Sequence, residues 1–340
     1  MSDNHPTQND VLDEQTQTRI LRYMVGVTLS VFLAAWINWP LAFVAPVFTA
    51  KFLVDKPTLH KETVYELLLA MLVTMALGLM LSRGITHYPI PLLILVGLMM
   101  LWGYYLFTDP KWNLFGTILL IAVLMLPFMA ISNPGVSLYL ASGLATSGAV
   151  AVGIFALVHI FFPEPKAKFA GFAKPPISKQ ERWYAAFRAM IISFPVVCFF
   201  FIFQISEALL TMMFIALLSL MITAEKSIKL SAFLVISNGI GGLLAIAAFS
   251  ILSIVPNILF YSIFIGLIAI VIARKIYTIP AKAPIFATAF STLLVLIGST
   301  LMSSGDIDSN TFVRIFQLLL IGIYMILASM FLETRRWKFL

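Results

Sequence analysis

Three basic side chains lie where they could attract a negatively charged molecule. Lys51 stands four positions before Asp55 inside an apolar run, and Arg22 and Arg188 each open an apolar run in one half of the chain. Cationic groups at the mouth of a cleft attract carboxylates, and a charge within a membrane span indicates function by default. We therefore expect all three to contact a small organic anion. The alternative is that each side chain only extends its charge to the membrane surface and anchors its helix.

Polar and aromatic residues in two hairpins are further candidates for binding. Short or proline-interrupted spans at matching positions of two halves indicate a binding site in membrane proteins with internal repeats. Tryptophan rings there can stack on an aromatic molecule, although they also fit the aromatic belt of a membrane interface. The candidates are Trp36, Asn38, Trp39 and Thr49 in the first hairpin and Gln204 and Thr211 in the second.

Coupling to protons would require a titratable group within the membrane. The sequence offers four candidates, and none of them lies deep inside an apolar run. Solvation at the membrane interface therefore explains each one as well as proton transfer does. These candidates are Glu66, Glu207, His159 and Glu225.

The sequence does not cluster the residues that enzymes or metal sites need. The histidines His5, His60, His87 and His159 are widely separated, and Cys198 is the only cysteine. A single cysteine forms neither an internal disulfide nor a thiolate metal site, and no glycine-rich phosphate-binding motif is present. We therefore expect no enzymatic activity, no cofactor and no metal.

Composition indicates which elements must carry these residues. Hydrophobic residues make up 61% of the 340 positions and charged residues only 11%, whereas a soluble domain carries about 25% charged residues. The apolar runs lack the alternation of barrel strands, so helices must satisfy their backbone groups in lipid. The sequence therefore predicts an all-α integral membrane protein.

Apolar runs recur along the chain, and turn residues such as asparagine, proline and glycine separate many of them. About 20 apolar residues cross a bilayer as a helix, and the runs predict about twelve transmembrane helices. The predicted spans are 20–37, 40–54, 63–82, 90–107, 113–131, 136–162, 185–203, 208–222, 230–253, 256–273, 283–302 and 311–332.

The basic residues predict the orientation. If the N-terminus is cytoplasmic, all of the 22 lysines and arginines except Arg83 and Arg314 fall on the cytoplasmic side. This distribution follows the positive-inside rule, so the net charge of +7 requires no nucleic acid. We expect a multi-pass protein surrounded by lipid in the bacterial inner membrane, with both termini cytoplasmic.

Polar segments divide the chain. Residues 1–19 are predicted to be a disordered cytoplasmic tail, and the proline-rich, charged residues 163–182 are predicted to be a cytoplasmic linker. Such segments cannot pack a core. They delimit a first six-helix half at 20–162 and a second at 183–340, which includes a short cytoplasmic C-terminal tail.

The two halves share several features at corresponding positions, although identical residues are few. Because both begin on the cytoplasmic side, the halves are predicted to be parallel six-helix repeats. The corresponding features are Arg22 and Arg188 in the first spans, Asp55-Lys56 and Glu225-Lys226 after short second spans, and Gly78 and Gly239, Gly241 and Gly242 in the third spans.

Several of these residues also suggest a family. Arg22, the run WPLAFVAPVFTA at 39–50, the turn DKPTL at 55–59 and a third span with Gly78 resemble the fusaric-acid-resistance and aromatic acid exporter superfamily. The chain is similar to a compact branch, because it lacks the large cytoplasmic domain of many members. The resemblance implies export of small, often aromatic, organic anions together with a periplasmic adaptor of the membrane-fusion type and an outer-membrane channel.

The sequence thus favours a transporter subunit that exports small, often aromatic, organic acids or related toxic compounds. A non-transporting membrane scaffold or sensor is the alternative, and a membrane-embedded enzyme or a channel is less favoured. Smooth apolar helix faces also leave room for a homo-oligomer.

Overall fold

The computed structural model describes residues 8–56, 58–59, 61–109, 112–163, 178–204 and 228–302, together with Tyr324 and Leu327. These residues form ten α-helices and one short 3-10 turn, and the described ranges contain no strand. The predicted all-helical class is therefore confirmed for this part of the chain. The helices are α1 Gln8–Ile37, α2 Val44–Asp55, α3 Lys61–Ser82, α4 Pro89–Phe107, α5 Asn113–Ser132, α6 Pro134–Phe161, α7 Lys179–Phe203, α8 Ile228–Ile254, α9 Ile258–Thr278 and α10 Ala283–Met302.

Seven of these helices, α1, α4, α5, α6, α7, α9 and α10, are long and apolar enough to cross a membrane. They indicate a multi-pass membrane protein. The predicted spans 208–222 and 311–332 lie outside the described residues, except for Tyr324 and Leu327. Shorter apolar segments lie in α3 and α8.

Local sequence explains several helix ends. Pro89 occupies the first turn of α4, where its missing N–H costs no hydrogen bond. At α7, the Ser178 hydroxyl accepts from the Glu181 N–H, and the Glu181 carboxylate accepts from the Ser178 N–H, which is a capping box. Helix α1 begins at Gln8 and thus includes part of the predicted tail.

Helix α2 is too short to cross a membrane by itself. Its 12 residues extend about 18 Å at 1.5 Å per residue, whereas the apolar core of a bilayer is about 30 Å thick. Most of its residues, from Val44 to Leu53, are nevertheless buried. Neighbouring helices therefore shield it.

The helices group into two compact units. The first unit contains α1, α2, α6 from Thr146, α8 from Ile240, α9 and α10. Within it, α1 packs against α2 and α9, and α10 packs against α2 and α9. At Gly266, a Cβ atom would come within 2.5 Å of the Thr28 hydroxyl oxygen, so glycine allows α9 to approach α1 closely.

The second unit contains α3 from Tyr65, α4, α5, α6 up to Ala145, α7 and the beginning of α8. Within it, α4 packs against α5 and α7. The hydroxyls of Tyr104 on α4 and Ser193 on α7 are hydrogen-bonded at 2.7 Å. Gly97 permits this approach, because a Cβ atom there would lie 2.9 Å from the Phe194 ring.

Helix α5 is more deeply buried than the other helices long enough to cross a membrane. Of its most apolar window, 83% is buried, compared with 28% for α9 and 33% for α7. The second most buried is α10, at 67%. These two helices are therefore surrounded mainly by protein rather than presented to lipid.

Candidate functional site

The turn between α1 and α2 has an unusual backbone. Asn38 and Leu41 both adopt left-handed conformations, with φ of 51° and 57°. Asparagine tolerates this region, but leucine rarely adopts it because its Cβ crowds the backbone. The surrounding structure must therefore hold Leu41 in place.

A buried serine provides that support within the first unit. The indole N–H of Trp39 donates to the Ser147 hydroxyl at 2.8 Å, and this hydroxyl donates to the Leu41 carbonyl at 2.9 Å. Ser147 lies on α6 and is fully buried. The pair of hydrogen bonds thus fixes the turn to α6.

The turn between α8 and α9 contains Val255, Pro256 and Asn257. Asn257 caps α9, because its side-chain oxygen accepts a hydrogen bond from the Leu259 N–H at 2.8 Å. This cap uses the amide oxygen and leaves the side-chain NH₂ group for other partners. The turn therefore presents a hydrogen-bond donor at its surface.

A cavity of about 250 Å³ lies within the first unit beside both turns. Its floor is apolar and buried, and its mouth is exposed. None of the described residues that line it is charged. They are Val31, Ala34, Ala35, Asn38, Phe43, Pro46, Leu252, Val255, Pro256, Asn257, Ile258, Tyr261, Leu294, Gly298 and Leu301.

This lining is typical of a small-molecule site. Such sites are concave and mostly apolar, with few polar groups to orient the ligand. Asn38, Asn257 and Tyr261 are the polar side chains here. A second cavity, of about 370 Å³, lies within the second unit, and its lining from α3, α4 and α5 contains no amide or hydroxyl side chain among the described residues. The first cavity therefore has the better chemistry for specific binding.

The predicted residues of the first hairpin have different surroundings. Asn38 lines the cavity, and Trp39 holds the turn. Trp36 is 67% exposed, and its ring centroid lies 5.6 Å from that of Phe32. Thr49 is buried, and its hydroxyl donates to the Ala45 carbonyl at 2.9 Å. The hairpin thus contributes one predicted residue directly to the cavity.

The predicted basic residues do not line this cavity. Lys51 forms an ion pair with Asp55 at 2.9 Å on α2. Arg22 is buried, and its Nε donates to the Phe162 carbonyl at the end of α6 at 2.6 Å. Arg188 lies half-buried on α7 in the second unit. Their predicted contact with substrate stays a prediction.

The remaining candidates are only partly described. His159 is buried, with Nδ1 at 2.8 Å from the Phe155 carbonyl. Gln204 is exposed and ends α7 in a left-handed conformation. Glu66 lies in α3, but its side chain is outside the described part of the structure. Thr211, Glu207 and Glu225 lie outside the described residues.

No group of three or more histidine, cysteine, aspartate or glutamate residues that could hold a metal is found within the described ranges.

Sequence reasoning missed most of the cavity. Its lining includes the buried side chains of Phe43, Leu252 and Leu294, the exposed Asn257 and the half-buried Tyr261. The sequence marks the Pro256-Asn257 turn, but no local signal shows that this turn lies beside Asn38. That arrangement depends on the packing of α1 against α9.

Residues 19–158 match a family described as "Protein of unknown function (DUF2955)". No curated protein and no solved structure matches the chain. The matched segment includes the α1–α2 turn and Ser147 but not the α8–α10 part of the cavity. The matched family has no assigned activity, so the resemblance to aromatic acid exporters stays a prediction.

Proposed function

We propose that this chain is an inner-membrane transporter subunit that exports small organic acids, often aromatic, or related toxic compounds. In this proposal it has about twelve membrane spans in two parallel six-helix repeats, with both termini cytoplasmic. A periplasmic adaptor and an outer-membrane channel complete the export path, as the sequence resemblance implies.

One observation carries the proposal: the same close helix contact occurs in each half. In the first half, a Cβ atom at Gly78 of α3 would lie 3.2 Å from the Ala122 carbonyl oxygen of α5. In the second half, a Cβ atom at Gly241 of α8 would collide with the Ala289 carbonyl of α10. Both contacts join the predicted third and fifth spans, so they support an internal repeat.

A second pair of contacts supports the same correspondence. Gly97 of α4 faces Phe194 of α7, and Gly266 of α9 faces Thr28 of α1. Both contacts join the fourth span of one half to the first span of the other. Thr28 and Phe194 are separated by the same number of residues as the predicted pair Arg22 and Arg188.

Two further features fit this correspondence. Asn38 and Gln204, also separated by that number of residues, both end the first span of a half in a left-handed conformation with an amide side chain. The two most buried membrane helices, α5 and α10, are the predicted fifth spans. Repeats of parallel orientation are a feature of several transporter folds. The proposed repeat therefore supports transport as the function.

A non-transporting scaffold or sensor is the second candidate. One observation favours it: two of the predicted basic residues have structural partners, since Arg22 donates to the Phe162 carbonyl at the end of α6 and Lys51 pairs with Asp55. A scaffold requires no ligand cavity, whereas a transporter requires one, and the first unit contains a cavity with suitable chemistry.

Deletion of the gene tests the function. We expect the deletion strain to accumulate at least one acid from a panel of labelled aromatic and aliphatic acids, and to become more sensitive to it. Expression of the wild-type chain at its normal membrane level should reverse both effects. Unchanged accumulation of every acid would overturn the exporter proposal and favour the scaffold.

A further inference from the structure

We propose that the cavity beside the α1–α2 and α8–α9 turns binds a compact, uncharged amphipathic molecule that has a ring-sized apolar body and one hydroxyl or undissociated carboxyl group. The role of this binding in transport rests on the proposed function. The binding itself rests on the volume, lining and hydrogen-bonding groups of the cavity.

The volume sets the size of the ligand. The cavity of about 250 Å³ is larger than a dry engineered cavity of about 150 Å³ that binds benzene. It is smaller than the roughly 300–1,000 Å³ of most drug-sized ligand pockets. A single ring with one substituent therefore suits it.

The floor of the cavity favours an apolar body. Val31, Ala34 and Leu294 are almost completely buried, and Phe43 and Leu252 are less than one-tenth exposed. These side chains come from α1, α8, α10 and the turn before α2. Burying hydrocarbon against them is favourable because it removes apolar surface from water.

The charge distribution excludes an anion as the favoured form. None of the described lining residues carries a charge, and an ionised carboxylate is strongly disfavoured in an apolar site without a partner. Lys51 follows Pro46 by five residues, about 7.5 Å along the helix axis, and it pairs with Asp55. An acid would therefore enter in its protonated form.

The polar groups of the cavity lining suit an uncharged end. The Asn38 amide can both donate and accept, and the Asn257 amide keeps its NH₂ donors while its oxygen caps α9. Among the described residues, no hydrogen bond is found for the Asn38 side chain or the Tyr261 hydroxyl. A hydroxyl or undissociated carboxyl both donates and accepts, whereas a carboxylate only accepts.

The test compares two ligands of matched size. Benzyl alcohol is uncharged and benzoate is anionic at neutral pH. Equilibrium dialysis of each labelled ligand against purified full-length protein in detergent, with protein-free micelles as the blank, measures saturable binding. We expect one saturable site for benzyl alcohol and affinity for benzoate weaker by about tenfold or more. Lowering the pH so that benzoate becomes benzoic acid should restore binding.

A pair of variants on α1 locates the site. Ala35→Leu places extra volume in the cavity lining, whereas Leu33→Phe adds volume on the same helix outside the lining. We expect Ala35→Leu to weaken benzyl alcohol binding by about tenfold or more and Leu33→Phe to bind like the wild type. Circular dichroism and elution volume show whether both variants are folded.

Three results would overturn the inference: equal or tighter binding of benzoate at neutral pH, no saturable binding of either ligand, or wild-type binding by a folded Ala35→Leu. A lipid that co-purifies stoichiometrically with the wild type but not with Ala35→Leu would instead assign the cavity to an acyl chain. If the purified protein binds benzyl alcohol but the deletion strain shows no change in accumulation of any acid, only the exporter proposal is overturned. If the deletion strain shows that the protein exports an acid but the purified protein binds neither ligand, only the cavity inference is overturned.

Discussion

At the scale of single residues, Ser147 has an important structural role for a small side chain. Its hydroxyl accepts from Trp39 and donates to Leu41, and so it bridges a left-handed turn to α6. Both bonds are shielded from water on the serine side, because Ser147 is fully buried. The geometry of the cavity mouth at Asn38 therefore depends on a residue outside the cavity lining.

We expect Ser147→Ala to lower the free energy of unfolding by about 1–3 kcal/mol, because it leaves the Leu41 carbonyl and the Trp39 N–H without this partner. Thermal unfolding of purified protein in detergent, followed by circular dichroism, measures the change. Ser250→Ala is the control, since that exposed hydroxyl donates only to the Ile246 carbonyl of its own helix. Equal midpoints for the two variants would contradict the structural role of Ser147.

At the scale of elements, glycines determine how closely helices approach. Gly266 brings α9 against α1, and Gly97 brings α4 against α7. Small residues at crossings are a general means of packing helices in membranes. The Gly266 contact also positions the cavity in the first unit, because α1 and α9 each contribute lining residues.

We expect Gly266→Ala to cost about 1–3 kcal/mol, the range for overpacking a tight contact. Gly153→Ala is the matched control, because a Cβ atom at that helical position meets nothing within 4 Å. Thermal unfolding of the purified proteins in detergent should show a lower midpoint for Gly266→Ala than for Gly153→Ala. The double variant Thr28→Ala/Gly266→Ala should regain much of the lost stability, because it removes the hydroxyl that the new Cβ atom meets. A double variant as unstable as Gly266→Ala would argue against this collision.

A second element-scale prediction concerns the start of α7. Arg182 forms an ion pair with Asp109 at 3.1 Å and donates to the Tyr105 carbonyl at 3.1 Å. Its guanidinium carbon also lies 4.2 Å from the centre of the Tyr105 ring, a distance typical of a cation–π contact. These contacts hold α7 to the end of α4.

We expect Arg182→Ala to destabilise the protein by about 1–3 kcal/mol, because it removes charge-assisted hydrogen bonds from a mostly buried group. Lys179→Ala, an exposed cation at the first position of α7, should change stability little. Arg182→Lys should recover only part of the loss, since lysine lacks the planar guanidinium. If Arg182→Lys is as stable as the wild type, the positive charge alone accounts for the stabilisation and the planar guanidinium adds nothing.

At the scale of the whole molecule, each compact unit combines elements of both sequence halves. The first unit joins α1 and α2 to α9 and α10, and the second joins α4 and α5 to α7. Under the proposed repeat, the fourth span of each half packs with the first span of the other. Each half therefore shares part of its helix contacts with the other half.

The proposed orientation can be tested with single cysteines in a Cys198→Ala background. We expect a membrane-impermeant maleimide to label His87→Cys in spheroplasts, whose inner membrane is sealed. The reason is that the α3–α4 turn is predicted to face outward. Thr58→Cys should react only after the inner membrane is opened. Labelling of Thr58→Cys in spheroplasts with a sealed inner membrane would contradict the predicted topology.

Sequence reasoning predicted the elements better than the site. The predicted span 283–302 coincides with α10, and 90–107 differs from α4 by one residue. The predicted start of α2 at residue 40 is too early, since Leu41 is part of a left-handed turn and the helix begins at Val44. Hydrophobicity does not distinguish an apolar turn from a helix, and it does not show that Asn38 and Asn257 line one cavity.

The burial of α5 has a consequence for biogenesis. Its window is the most apolar among the helices able to span a membrane, although little of it meets lipid in the folded protein. That apolarity is therefore needed earlier, when the nascent segment partitions into the bilayer before its neighbours arrive. A polar substitution that the finished bundle would accommodate in α5 should still misdirect the chain at the translocon.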